Sequence, residues 1–297
     1  MTPPSRVRGA LIGCGHMGGA HARRLLERAD VDLVAILDPV PPTEPALAAL
    51  HRSALPEGLD FAVVAAPTRL HAALTRPLLE AGLAVLVEKP LAATVDEARG
   101  LLGHDRLSVG HIERFNPAVA ALPEGLRPRY LRAERLSPFR ARGTDVDVIH
   151  DLMIHDLDLL LHLDGSEVTE VRAVGVPVMT PGVDIADVRL ETASGCVASL
   201  TASRVSRASA RHLRLVSEGA YFSLDLGERT AERVRWGAGQ LAAEPLAVPR
   251  RDALVALHDA FLAAVRGEGP FPAPAHEALR GLELADEVAR RASQARP

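Results

Sequence analysis

Hydrophobic positions along the first 116 residues fall into short apolar runs separated by stretches of helical period. The runs are VRGALIG (7–13), VDLVAILD (31–38), FAVVAAP (61–67), LAVLVEKP (83–90) and LSVGH (107–111). Runs with so few polar positions are what strands covered on both faces of a parallel sheet require. Between them, residues 17–29 carry helical periodicity with Met17, Ala20, Leu25 and Leu26 as the expected buried positions, and residues 69–81 read as a helix closed by Gly82. Thr94 opens a further helix, TVDEARGLL, with Glu97 at capping-box distance. Strand and helix in alternation predict an α/β domain with a doubly wound parallel sheet and right-handed crossovers.

After Pro117 the pattern changes. Residues 129–136 and most of 168–236 read as strands, among them EVRAVGVPV, ADVRLETAS, CVASLTASR, HLRLVSE and YFSLDL. Ser194 and Gly195 stand between two of these as a hairpin turn. One helix over about 146–163 interrupts the series, and two more, about 251–266 and 275–293, follow it. Consecutive strands without intervening helices predict a second, α+β domain with a large, open, mostly antiparallel sheet. The expected division is a dinucleotide-binding domain over 1–117 and a substrate-binding and oligomerisation domain over 118–297, whose C-terminal helices are able to pack back on the first.

Composition narrows the class. At 297 residues, with 47% apolar and 24% charged positions, the chain is ordinary globular material. A formal charge of −4 gives no electrostatic case for nucleic acid or an anionic membrane as partner. No apolar run approaches the ~20 residues needed to span a bilayer, and the opening MTPPSRVRG lacks the apolar core of a signal peptide. Two cysteines, Cys14 and Cys196, cannot make a disulfide framework, which fits a reducing compartment. The expectation is a soluble, cytoplasmic protein.

Gly13, Gly15 and Gly18 follow the first strand in the spacing G-x-G-x-x-G and open a helix. A dinucleotide pyrophosphate needs backbone N–H groups at close range, which a Cβ would block. A ligand-free glycine turn is the alternative, but the strand-before, helix-after context is the one the motif requires. Asp38 ends the second strand twenty residues beyond Gly18, where a carboxylate can accept from the adenosine ribose and repel a 2′-phosphate, favouring NAD over NADP. The competing reading is an Asp that caps the turn before Pro39. Lys89, in Glu88-Lys89-Pro90, is the one lysine of the chain and stands at a strand end, where ligands of open α/β sheets bind. A chain that otherwise uses arginine keeps a lysine where the two are not interchangeable.

Asp151 and His155 are four apart in DVIHDLMIHDLDLLLHL, so on a helix they share a face. The imidazole suits proton removal from an alcohol near neutral pH. A surface Asp/His pair is one alternative. A metal site using His150, His155, Asp158 and His162 is another, weakened by the absence of H-E-x-x-H spacing. The candidate cofactor-binding set is Gly13, Gly15, His16, Met17, Gly18, Asp38, Pro67, His71, Glu88, Lys89 and Asn116, with His111 and Arg114 as candidate substrate contacts. For His71, His111, Arg114 and Asn116 a packing role competes with the functional one.

These motifs together resemble the Gfo/Idh/MocA oxidoreductases over nearly the whole chain: GCGHMG, AAPTRLH, EKP, VGHIERFNP, DLMIHDLD and VRGEG…EALRGLELADEV. EKP combined with D-x-x-x-H carries the specificity. The resemblance implies NAD(P)-dependent oxidation of a sugar or cyclitol hydroxyl, or the reverse, with Lys89, Asp151 and His155 at the positions of the family's catalytic lysine, aspartate and histidine. It also implies a homodimer or homotetramer formed through the C-terminal sheet, and a Lys89–Pro90 bond that is often cis. Within the family, VGHIERFNP followed by DLMIHDLDLLL is most similar to members that oxidise the 3-hydroxyl of UDP-N-acetylglucosamine. Cyclitol, aldose and imine substrates, and a non-catalytic NAD-binding regulator on the same fold, remain as alternatives. One departure stands out: only 22 residues separate Asp38 from Phe61, as though one helix–strand–helix unit beside the adenosine were missing.

Overall fold

The computed structural model describes residues 6–139, 146–237 and 239–294. Residues 1–5 of the opening segment read above lie outside the described residues. The chain forms two compact units: residues up to Ile112 with Leu254–Arg280, and Glu113–Ala253 with residues from Gly281 onward.

The first unit runs β1 (Val7–Ile12), α1 (His16–Leu26), β2 (Val31–Leu37), α2 (Pro45–Ala48), β3 (Phe61–Val64), α3 (His71–Glu80), β4 (Ala84–Val87), α4 (Val95–Arg99) and β5 (Leu107–Val109). All neighbours in its sheet are parallel, in the order β2-β1-β3-β4-β5. Every residue of β3 and β4 is buried, as a strand enclosed on both faces demands. The connections reverse direction between β1 and β3, which opens the crevice that such sheets use for ligands. The Thr94 cap accepts the Glu97 N–H at 3.2 Å, and the Glu97 carboxylate reaches back to the Ala93 N–H.

One local expectation, the buried face of α1, needs correction. Helix α1 does not bury Leu26, which is 42% exposed, while Met17 and Ala20 are only half-buried. Its inner face is Gly18, Gly19, His21, Ala22 and Leu25. The reason is steric. A Cβ on Gly18 would stand 2.0 Å from the Gly13 carbonyl oxygen, so Gly18 is the point of closest approach and sets the rotation of the helix. After Asp38, the missing unit is replaced by the single turn α2 and one isolated bridge, Ile36 to His51.

The second unit comprises α5 (Pro117–Ala120), β6 (Tyr130–Leu136), a π-helical turn (Ile149–Met153), α6 (Ile154–Asp164), β7 (Val168–Val176), β8 (Ile185–Thr192), β9 (Val197–Ser203), β10 (Ala210–Ser217), β11 (Ala220–Asp225), β12 (Thr230–Gly237) and β13 (Gln240–Pro245). Its sheet has the order β13-β12-β11-β10-β6-β9-β8-β7 and is antiparallel except for the β6–β9 pair. Gly195, at φ +85°, makes the β8–β9 hairpin. Strand β13 was not visible in the hydrophobic pattern because all its residues are exposed. One sheet face packs Leu131, Ala133, Leu213, Leu215 and Leu224 against Met153, Leu157 and Leu160.

Helix α7 (Ala253–Val265) returns to the first unit, and α8 (Ala275–Gln294) begins there and ends in the second. Phe261 of α7 meets Phe61 of β3 edge-on at 5.9 Å, and Phe271 meets Phe261 in the same way. The Phe61 ring fits because Gly9 of β1 has no Cβ, which would fall 2.1 Å from it. Replacing Phe261 by Ala removes a fully buried ring, and its cost is expected at about 3–5 kcal/mol. Denaturant unfolding measures it, and a loss below about 1 kcal/mol would contradict this packing.

Candidate active site

The predicted cofactor residues of the first unit form one connected rim beyond the carboxyl ends of β1 to β4. Gly13 has φ +88°, and a Cβ there would strike the backbone of Ala65 and Ala66 at 2.7 Å. Gly15 is the N-cap of α1 and has open space where its Cβ would be. No side chain caps this helix and no acidic residue stands in its first turn. An uncapped helix N-terminus behind a bare glycine is an anion cradle, and these residues therefore fit a dinucleotide pyrophosphate. His16 is exposed at the first position of α1 and Met17 half-buried beside it.

Asp38 is half-buried and ties the rim to β2. Its Oδ2 accepts the Cys14 N–H at 2.7 Å and its Oδ1 accepts the Val40 N–H at 2.9 Å. The turn-capping role and the ribose role are compatible, since each carboxylate oxygen has a second lone pair. Burial, then the Asp38 charge, push the Cys14 thiol above its ordinary range, which keeps it protonated.

Pro67 is exposed at the end of β3. His71 is buried, with Nε2 2.8 Å from the Ala66 carbonyl and Nδ1 2.8 Å from the Pro90 carbonyl. The ring thus stands between the β3 and β4 ends, close to the carbonyls of both. The Lys89–Pro90 bond is cis. Lys89 is half-buried. Glu88 turns inward, where its Oε1 meets His21 Nε2 at 2.8 Å and its Oε2 accepts the Lys89 N–H at 3.3 Å. Burial would raise the Glu88 carboxyl, but the His21 hydrogen bond and the neighbouring positive charge hold it below the usual range, so it is an anion.

In the second unit, Asp151 lies in the π-helical turn and His155 is the second residue of α6. Both are half-buried. The regular helix expected over 146–163 is therefore widened where Asp151 sits, since a π turn bonds i to i+5. Asp147 organises that turn: its Oδ1 accepts the N–H groups of Ile149 and His150 at 3.0 and 2.9 Å. His150 is pinned between Asp147 (2.9 Å) and Asp286 of α8 (2.8 Å). Burial works against a charged His150, but the two carboxylates raise it above its ordinary value.

Other predicted residues, Arg114, Asn116 and His111, have these surroundings. Arg114 makes a buried, two-pronged ion pair with Asp158 at 2.8 and 2.6 Å. Asn116 caps α5 and donates to Glu113 and to the Leu226 carbonyl. His111 is buried. Sequence reading missed the group behind this: Arg135 of β6 grips Asp156 on both oxygens at 2.9 and 2.8 Å and Glu113 at 2.9 Å. Asp156 adjoins His155, so this buried cation fixes the start of α6. Its signal was an arginine on the inward side of an alternating strand, with Leu131 and Ala133. Among the described residues no group of three or more metal-ligating side chains comes together, and no helix is long and apolar enough to cross a membrane.

Comparison with known proteins gives the family and the fold. Residues 7–104 match the family profile described as "Oxidoreductase family, NAD-binding Rossmann fold", and residues 126–222 match the Gfo/Idh/MocA C-terminal domain. The chain is 37% identical over 284 residues to UDP-N-acetylglucosamine 3-dehydrogenase from Acidithiobacillus ferrooxidans, covering 89% of this chain and 90% of that protein. A crystal form of the same enzyme superposes with TM-score 0.88 at 35% identity, covering 97% of this chain and 98% of that one. The inositol 2-dehydrogenase of Acidothermus cellulolyticus is 34% identical over 200 residues, 59% of this chain and 58% of that one. The myo-inositol dehydrogenase of Corynebacterium glutamicum, at 22% identity and TM-score 0.80 over 98% of both chains, shares the fold.

The His150 clamp predicts a pH dependence of stability. A histidine raised in the folded state contributes fully below its unfolded value of about 6.5 and loses that contribution as pH rises through its folded value. Wild-type stability in urea is expected to decline relative to His150→Asn as pH rises above about 6.5, and parallel pH profiles for the two proteins would refute the clamp.

Proposed function

The chain belongs to the Gfo/Idh/MocA oxidoreductase family, and on that premise we propose that it oxidises the 3-hydroxyl of UDP-N-acetylglucosamine with NAD as acceptor. The observation that carries the reading is the single lysine of the chain, held at the carboxyl end of β4 on the rim that includes the glycine cradle. Identity to a UDP-N-acetylglucosamine 3-dehydrogenase across 89% of the chain supports the substrate.

NAD, when bound, supplies the hydride acceptor. His155 takes the proton from the reacting hydroxyl, a task suited to an imidazole near neutral pH. Lys89 is the candidate donor to a substrate oxygen, where its ammonium favours developing negative charge. Asp151 orients His155 or holds a neighbouring hydroxyl. Asp38 would accept from the adenosine ribose of a bound NAD, and its charge would repel a 2′-phosphate, favouring NAD over NADP. The open face of the eight-stranded sheet packs on a second copy, a reading supported by exposed Trp236 and Leu241 on its outer strands. Sedimentation analysis is expected to give a dimer or tetramer, and a monomer at micromolar concentration would refute that assembly.

The activity test is formation of reduced nicotinamide when purified protein receives NAD with UDP-N-acetylglucosamine, myo-inositol or simple aldoses. Turnover is expected with the sugar nucleotide and should fall by about 100-fold or more in Lys89→Met and His155→Ala, the range associated with a lost general base. Asp38→Ala should raise the KM for NAD about tenfold, the loss of a charge-assisted hydrogen bond. Turnover of myo-inositol alone would move the substrate to the cyclitols. NAD binding without turnover of any compound would favour a regulator.

A further inference from the structure

Three titratable side chains in the first unit form a buried hydrogen-bonded chain that takes no direct part in the reaction above. They are His21 of α1, His258 of α7 and Glu88 after β4, at 0%, 1% and 9% exposure. His21 Nε2 lies 2.8 Å from Glu88 Oε1, and His21 Nδ1 lies 2.8 Å from His258 Nε2.

The proton positions follow from what each atom can do. An ionised carboxylate only accepts, so His21 Nε2 carries a proton. In a neutral ring Nδ1 is then the acceptor, and His258 Nε2 is the donor. That leaves His258 Nδ1 as a buried lone pair with no hydrogen-bond partner. A charged His258 would instead bury an unpaired N–H there, which costs far more. Burial first, aided by the nearby Arg28 and Arg24 guanidinium groups, pushes His258 well below its ordinary value, in agreement with the neutral form. One tautomer set therefore satisfies the chain: His258 donates to His21, His21 donates to Glu88, and the negative charge resides on Glu88. Arg28 is itself occupied by Asp30 and Asp259, and Arg266 by Asp30, so these cations are neutralised locally.

Glu88 directs its other oxygen to the backbone N–H of Lys89, and the Lys89 charge lies within Coulombic reach of the carboxylate. We infer that His21 and His258 are positioning residues for Lys89: through Glu88 they fix the main chain that carries the lysine and hold a buried anion at the preceding residue. A Leu at position 21 would pack in the same place without the cost of burying polar groups, so the polar chain has a task beyond filling space.

The inference rests on the catalytic reading of Lys89, and one set of variants separates the two. The measurements are kcat, KM and the kcat–pH profile with NAD and UDP-N-acetylglucosamine, beside circular dichroism and melting. His21→Leu removes the donor to Glu88. Its kcat is expected to fall about 10- to 100-fold, the range seen when the outer partner of an oriented group is lost, with KM nearly unchanged. Glu88→Gln keeps the shape but deletes the charge. It should move the basic limb of the profile to lower pH, because loss of an adjacent anion favours the neutral amine. His21→Gln, which can donate to Glu88 and accept from His258, should restore the wild-type profile. If Lys89→Met retains turnover, the catalytic reading of Lys89 falls, and this inference with it. If Lys89→Met is inactive while folded His21→Leu or Glu88→Gln keeps the wild-type kcat and pH profile, the positioning chain is overturned and the role of Lys89 stands.

Discussion

The contact of Gly18 with the Gly13 carbonyl is the constraint on which the first unit depends. A methyl group at position 18 would lie 2.0 Å from that oxygen, so helix and strand meet backbone to backbone. This closeness brings the uncapped N-terminus of α1 to the phosphate position. It also fixes the helix rotation, so that the next inward position after Gly19 is His21 rather than an aliphatic residue. His21 then reaches Glu88, and Glu88 holds the backbone of Lys89. The cofactor cradle and the setting of the candidate catalytic lysine thus follow from one glycine contact.

The second unit reaches a similar end by different means. Its helix α6 is apolar on most faces and would be free to slide on the sheet if packing alone held it. Arg135 removes that freedom by gripping Asp156 and Glu113 from the sheet. Burial raises the Asp156 carboxyl against the pull of Arg135, while Glu113 is lowered mainly by the same guanidinium, despite burial. Removing either partner of such a pair leaves a buried charge exposed to the full desolvation cost. At the other end, Asp147 and His150 hold the π turn that carries Asp151. Two candidate catalytic residues therefore stand on a segment anchored by ions on both sides.

Much of the fold was legible because its signals are local. Buried parallel strands are continuous apolar runs, and the glycine spacing encodes backbone geometry that a Cβ would forbid. Strand β13 escaped because its residues are all exposed and no period marks it. The π turn escaped because the i, i+4 spacing of Asp151 and His155 looks the same in sequence whether or not the helix widens. The shortened stretch after Asp38 was visible as length alone.

The sequence by itself determined the element order, the cradle, and the types of residue available for chemistry, since period, capping and backbone freedom act over a few neighbours. Only the tertiary structure decided which partners the polar residues take. Arg114 pairs with Asp158, 44 positions away, and His71 lies between the Ala66 and Pro90 carbonyls. His21 drew no reading from the sequence, and its partner His258 stands 237 positions on. The physical reason is that a buried polar group must find a partner, and that partner is chosen by the fold in space rather than by spacing along the chain.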